Sequence, residues 1–333
     1  MDKLKLFGKR VINYKGFGLS STIVVLLILL AVFSSDFYSW TSFTTVLSNN
    51  SVYAILAVGI MFVLLTGGID ISVASTMAVS ACATSELMKA APNIHPILWV
   101  LVAIIIGAGC GFINGILIGK LKIAPMIATL GTMFTYRGLA YVITGGEQIH
   151  QGEFTEAFKA ISRSTFLGIT SATWIVVIII VATAVFLALT KPGRRLYAIG
   201  TNEQSAAITG TNVANVKIMA YTICGALAGL SGIIFAGNYA SVHSEVGLNF
   251  EMTAIAMCVI GGVSNKGGKG RVDCLVLGIF FMSLLMTLLA RIPSISTFEE
   301  AIKGAIIVIA VVINIVNDNI KARKEVLEMG RRL

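Results

Sequence analysis

The chain has 333 residues, of which 56% are hydrophobic and 12% charged, with a mean hydropathy of +0.88. That is more apolar surface than one soluble core can hide, so an all-α polytopic membrane protein is expected, with no soluble catalytic domain. The formal charge of +9 comes from basic residues scattered between apolar runs and not gathered on one face with interleaved aromatics, which excludes nucleic acid as the expected partner.

Residues 1–16 (MDKLKLFGKRVINYKG) are basic and precede a first apolar run, Phe17 to Phe33, which lacks a small-residue cleavage site and reads as a retained span. Further spans are expected over about Val52–Thr66, Ile71–Met88, Ile97–Gly119, Pro125–Thr144, Thr173–Leu189, Ile218–Gly237, Met252–Gly262, Val272–Leu289 and Ala301–Val316, against the roughly 20 residues needed to cross a bilayer. That makes about ten transmembrane helices over residues 17–316, followed by a basic tail, 317–333. Most of the 25 Lys and Arg then fall on one side, which by the positive-inside rule places both termini and residues 191–217 in the cytoplasm. The longest segment on the other side, Gly145 to Ala172, carries Glu147, Glu153 and Glu156 and has room for a short surface helix.

Within the spans, Leu65-Thr66-Gly67-Gly68-Ile69-Asp70-Ile71-Ser72 leaves almost no loop. Either it is a tight turn, or the glycines break a helix inside the membrane and expose backbone groups to a pathway. Asp70 accordingly either caps the following helix or faces a conduit. Gly107, Gly111, Gly115 and Gly119 recur every fourth residue, the spacing that lets two helices pack backbone to backbone; Gly225 and Gly229 repeat it. Asn114 beside that ridge is an interhelical hydrogen-bonding group or a path group, and Thr129 and Thr132 are packing hydroxyls or neutral partners for a polyol. A charge inside a span costs of order 2.5–3.5 kcal/mol on insertion scales, so Arg137 must face protein or water. Its options are an acid, helix-end carbonyls, or the outer surface.

Gly262 to Gly270 imitates a phosphate loop but has Gly268 where Lys is needed, and no strand precedes it. The five cysteines fall in or beside apolar runs, an odd number without metal spacing, and His95, His150 and His243 are isolated. No metal site, bound cofactor or enzymatic activity is expected. If ATP drives this chain, another subunit binds it.

The stretch from Lys191 to Lys217, KPGRRLYAIGTNEQSAAITGTNVANVK, lies between two apolar runs. Thr201 followed by Gln204 predicts a capping box, and Gly210 a left-handed stop, so a helix is expected over roughly Asn202 to Thr209, about 12 Å at about 1.5 Å per residue. It is too short to span and is shaped like a docking peg, with Ala206, Ala207 and Ile208 offering small or apolar contacts. A basic loop with an interfacial helix is the plainer alternative.

Four blocks carry a resemblance: Ala57-Val58-Gly59 through Gly67-Gly68-Ile69-Asp70-Ile71-Ser72-Val73; Asn114-Gly115 through Pro125 to Thr132 and Arg137-Gly138; Gly193-Arg194-Arg195 through Gly210; and Ala254-Ile255-Ala256 through Gly270. Together they resemble the membrane permeases of bacterial ABC importers for ribose, xylose, galactose and related sugars, in the branched-chain amino-acid permease superfamily. The resemblance implies a multi-pass protein of the bacterial inner membrane, working with a second permease copy or paralogue, an ABC ATPase subunit and an extracytoplasmic substrate-binding protein. It also implies that Arg194, Arg195, Tyr197, Gly200, Asn202, Ala206, Ala207 and Gly210 meet the ATPase. Residues of the translocation path are sought among Asp70, Ser72, Asn114, Thr129, Thr132 and Arg137. Nucleoside and branched-chain amino-acid permeases share the broader family, and an ion-coupled carrier is the alternative from another class.

Overall fold

The computed structural model describes residues 17–33, 39–292, 298–306, 308–309 and 312. The expected segments 1–16 and 317–333 lie outside these residues, as does part of the last expected span. Apart from one two-stranded hairpin and an isolated bridge between Ile149 and Val242, the regular structure described is helical. The helices are α1 Phe17–Phe33, α2 Trp40–Asn49, α3 Ser51–Leu65, α4 Val73–Ala90, α5 Pro96–Gly119, α6 Pro125–Thr144, α7 Glu156–Arg163, α8 Ser171–Leu189, α9 Lys191–Thr201, α10 Glu203–Ile208, α11 Val213–Tyr239, α12 Phe250–Ile260 and α13 Val272–Arg291.

Helix α11 is the centre of the bundle and packs against α5, α3 and α4; α12 lies on α3, and α13 lies on α1 and α12. The α5–α11 seam is the most extensive pairing, and its cause is the glycine ridge. A Cβ on Gly107 would fall on the carbonyl oxygen of Gly225, one on Gly111 on that of Tyr221, and one on Gly225 on that of Gly107. Further along, a Cβ on Gly115 would come within 2.7 Å of the Ile218 Cα. The two backbones touch with no side chain between them, which gains dispersion contacts that lipid tails cannot match.

Helices α5, α8, α11 and α13 are long and apolar enough to cross a membrane, and α2 with α3, bent by 47°, together have the length and composition of a broken span or a re-entrant loop. The break falls at Asn50, whose Nδ2 donates to the Val46 carbonyl at 2.9 Å. Residues Trp40–Asn49 are thus helical, ahead of the span expected from Val52. Several other expected spans do not meet that hydropathy standard, for a physical reason. Helix α4 is rich in Ser and Thr and almost wholly buried in protein. Helix α6 turns Met126, Ile127, Phe134 and Val142 outward and keeps Thr129, Thr132 and Tyr136 inward. A helix enclosed by others does not need apolar groups all round.

The connection Thr66–Ser72 is a turn. Its glycine Gly67 has φ 79°, and the Gly67 and Gly68 amides close back onto the Leu64 and Val63 carbonyls at 2.9 and 3.3 Å. Gly262 (φ 78°) closes α12 in the same way, through bonds from Gly262 N to Val259 O and from Val263 N to Cys258 O. The expected surface helix between 145 and 172 is α7, capped by Thr155, whose Oγ1 accepts from the Phe158 amide. The hairpin β1 Thr165–Phe166 and β2 Ile169–Thr170 follows it.

Candidate functional site: the peg, its footing and a buried polar chain

The 191–217 stretch contains two helices, not one. Pro192 stands in the first turn of α9, and Thr190 caps it by accepting the Gly193 amide at 3.0 Å. A capping residue followed closely by proline is a helix-start signal that the basic composition obscured. The expected capping box at Thr201 does not form. Thr201 is the last residue of α9, and its Oγ1 donates to the Tyr197 carbonyl at 2.8 Å. Asn202, extended at φ −159°, caps α10 instead, its Oδ1 accepting from the Ser205 amide at 2.8 Å. Asn and Thr are both good caps, and the one at the backbone break takes the role. Gly210 closes α10 as expected, with φ 83° and a bond from its amide to the Ala207 carbonyl at 3.0 Å.

On α9, Leu196 and Ile199 face inward while Arg194 and Arg195 are exposed. On α10, Ala206 is buried, so it belongs to the peg's footing; Ala207 is exposed and Ile208 is 87% exposed. The outward surface is therefore Ala207 with Ile208, and a Glu203–Lys217 ion pair at 2.7 Å ties the base of α10 to α11. Below, Gly200 touches two other backbones: a Cβ there would fall on the Leu65 carbonyl oxygen and the Gly268 amide. The Gly268 amide itself donates to the Leu65 carbonyl at 3.0 Å, and the Tyr197 hydroxyl donates to the Gly270 carbonyl at 3.0 Å. Burial in this contact raises the Tyr197 phenol above its ordinary pKa.

Three of the candidate path residues meet. Asn114 Nδ2 donates to Ser72 Oγ at 2.7 Å, and Ser72 Oγ and the Ser72 amide donate to Asp70 Oδ1 at 2.6 and 2.9 Å. All three are buried, Asp70 to 1% exposure, and Asn114 Oδ1 has no hydrogen-bond partner. Asp70 thus holds Ser72 just before α4, whose first turn has no side-chain cap. The Tyr221 hydroxyl, a neighbour that sequence reasoning did not assign, donates to the Ile69 carbonyl at 3.3 Å.

The other candidates stand apart. Thr129 Oγ1 donates to the Pro125 carbonyl and Thr132 Oγ1 to the Thr129 carbonyl, so both are satisfied by their own helix. Arg137 donates from one guanidinium nitrogen to the carbonyls of Ser244 and Val246, both at 2.8 Å, and thereby pins the loop between α11 and α12. Among the described residues no group of three or more His, Cys, Asp or Glu could hold a metal ion. The five cysteines are buried, and no two of them form a disulfide.

A bundle of this kind, with apolar spans, a glycine-packed centre and a short helix exposed at one end, is that of a multi-pass membrane protein. The family model described as the permease component of branched-chain amino acid transport systems matches residues 42–311. The chain is 32% identical over 298 residues to the ribose import permease protein RbsC of Escherichia coli K12, covering 88% of this chain and 92% of that one. It is 36% identical over 274 residues to the autoinducer 2 import system permease protein LsrC of Salmonella typhi, covering 82% and 78%, and 33% identical over 285 residues to LsrC of Yersinia enterocolitica, covering 86% and 78%. No solved structure matches the chain. The chain belongs to the sugar-importer permeases of ABC systems, within the branched-chain permease superfamily.

Proposed function

We propose that this chain forms the translocation path for a monosaccharide or related small polyol in an ABC importer of the bacterial inner membrane. An extracytoplasmic binding protein delivers the substrate, and ATP hydrolysis in a separate ATPase subunit drives import. The chain itself binds no cofactor, and a second permease copy or paralogue completes the path. The relatives' names, ribose and autoinducer 2, support a small polyol over the amino acid in the family's description. About ten spans with both termini cytoplasmic put α9 and α10 on the ATPase side.

The observation that carries the reading is the peg. Helix α10 offers Ala207 and Ile208 to solvent while its other face is held by Ala206, the Glu203–Lys217 pair and α9. On a braced helix these side chains are placed to anchor in an apolar groove of a partner. Arg194 and Arg195 flank that contact, and Tyr197, Gly200, Asn202 and Gly210 shape and seat it. The buried chain Asp70–Ser72–Asn114 is the best-organised polar group for the path, whereas Thr129 and Thr132 bond their own helix and Arg137 holds the loop between α11 and α12.

The test is copurification of the tagged chain from its native membrane in mild detergent, with its partners identified. An ATPase subunit is expected with the native chain and lost with Ala207→Glu/Ile208→Glu, while the double variant stays monodisperse. Absence of any ATPase, even after crosslinking, overturns the reading in favour of an ion-coupled carrier.

A further inference from the structure

We propose that the loop Val263–Gly270 is the relay that carries displacement of the coupling segment into the membrane, because Gly200 of α9 is seated against both the Gly267–Gly268 backbone and the end of α3. The inference rests on the importer reading above and goes beyond it, since that reading assigns this loop nothing.

Nothing about α9 itself calls for glycine at position 200; alanine is the better helix former there. The requirement comes from outside the helix. Leu65 at the end of α3, Gly200 in α9 and Gly267–Gly268 in the loop meet backbone to backbone, so a single added methyl group would strike two of the three segments. Gly267 and Gly268 both hold left-handed conformations, φ 85° and 67°, which bring the loop this close. A Cβ on Gly267 would lie 2.7 Å from the Gly67 amide nitrogen and 2.8 Å from the Gly200 Cα, so the turn after α3 shares the junction.

Hydrogen bonds fix what packing brings together. The Gly268 amide satisfies the Leu65 carbonyl, one of the orphan acceptors at the end of α3. Tyr197 bonds Gly270 from the α9 side, and the loop braces itself through Ser264 N to Lys269 O at 2.8 Å and Gly267 N to Ser264 O at 3.1 Å. Flexible side chains could absorb a push; touching backbones cannot, and close-packed contacts transmit strain. The loop joins α12 to α13, and its neighbour Leu65 ends α3, so a movement of α9 reaches three membrane helices at once. This also accounts for the glycine-rich sequence that imitates a phosphate loop: its glycines serve close approach, not phosphate.

The experiment uses the intact permease–ATPase complex in lipid nanodiscs, with spin labels on exposed positions: Ala198 of α9, Asn265 of the loop, and Lys120 at the end of α5 as reference. Electron–electron distances are read with and without ATP plus orthovanadate. The Ala198–Lys120 and Asn265–Lys120 distances should shift together while Ala198–Asn265 stays constant. A shift at Ala198 that leaves Asn265 in place, or no shift at either, overturns the relay. Gly200→Ala should lose the Asn265 shift; if the shift persists, the relay is wrong. Should Gly200→Ala fail to fold, Tyr197→Phe removes only the bond to Gly270 and is expected to reduce the Asn265 shift, an undiminished shift overturning the proposal. A complex that lacks an ATPase from the outset sinks the importer reading itself, which separates the two failures.

Discussion

Ser72 is the middle link between Asn114 and Asp70, receiving one hydrogen bond and giving two to the same carboxyl group. Removing its hydroxyl leaves the buried Asn114 amide without its acceptor and takes from Asp70 one of the two bonds Ser72 gives it, whereas Asn114→Ala removes one donor and an acceptor that had no partner. Asn114→Ala should therefore cost about 1 kcal/mol, the net worth of one hydrogen bond, and Ser72→Ala clearly more, as read from melting temperatures of the purified protein. At the opposite end of the bundle, Glu153 accepts from the His150 amide at 2.6 Å and pairs with Lys89 at 3.0 Å, and these hold its carboxyl below the usual range. A depressed carboxyl pKa stabilises the folded loop above the unfolded value of about 4.5 and ceases to as pH falls through the folded value. Amide exchange around 150–154, corrected for the intrinsic pH dependence, should accelerate below about pH 4.5 in the native chain and lose that pH dependence in Glu153→Gln.

Helix α5 distinguishes glycines that are needed from glycines that are merely present. Gly111 presses on the Tyr221 backbone, while a Cβ on Gly109, two residues away, would meet nothing within 4 Å. Gly111→Val should destabilise by at least the roughly 1–3 kcal/mol typical of overpacking, because backbone cannot rotate aside, and Gly109→Val should be neutral. Yield and melting temperature of the two variants, purified side by side, decide it. This seam was legible in the sequence, since spacing alone put Gly107, Gly111, Gly115 and Gly119 on one face. The partner was legible only as an echo, because Gly225 and Gly229 say nothing about which helices meet. Helix α9 was missed because a basic composition masked the Thr190–Pro192 start signal. The Asp70–Ser72–Asn114 chain lay beyond reach for another reason: its members are 42 residues apart in sequence and joined only by the packing of α5 beside the turn before α4.

For the whole molecule, apolar content and charge asymmetry indicated a membrane bundle, and the comparisons agree on its class. Helices α4 and α6 fall short of the hydropathy of a span because their hydroxyls, those of Ser75, Thr76, Ser80, Thr129 and Thr132 among them buried by neighbouring helices, depress a signal tuned to lipid. The orientation is open to direct test. A cysteine at Asn265, beside the peg, should react with an impermeant maleimide only in inside-out vesicles, and one at Gln148, beyond α6, only in right-side-out vesicles. The reverse pattern would place the peg on the wrong side for an ATPase and refute the topology.

The hairpin after α7 gives the protein its own optical probe. Phe166 and Leu167 stand out from the surface at 66% and 74% exposure; the Trp174 indole donates to the Phe166 carbonyl at 3.1 Å, and the Trp40 indole lies beside Gly168. The remaining tryptophan, Trp99, is buried. Aromatic rings of this kind settle at the headgroup level of a bilayer. Two of the chain's three tryptophans thus watch one patch of the surface, and brominated lipids should dim their ultraviolet emission in proportion to how deeply that patch sits, with no label attached.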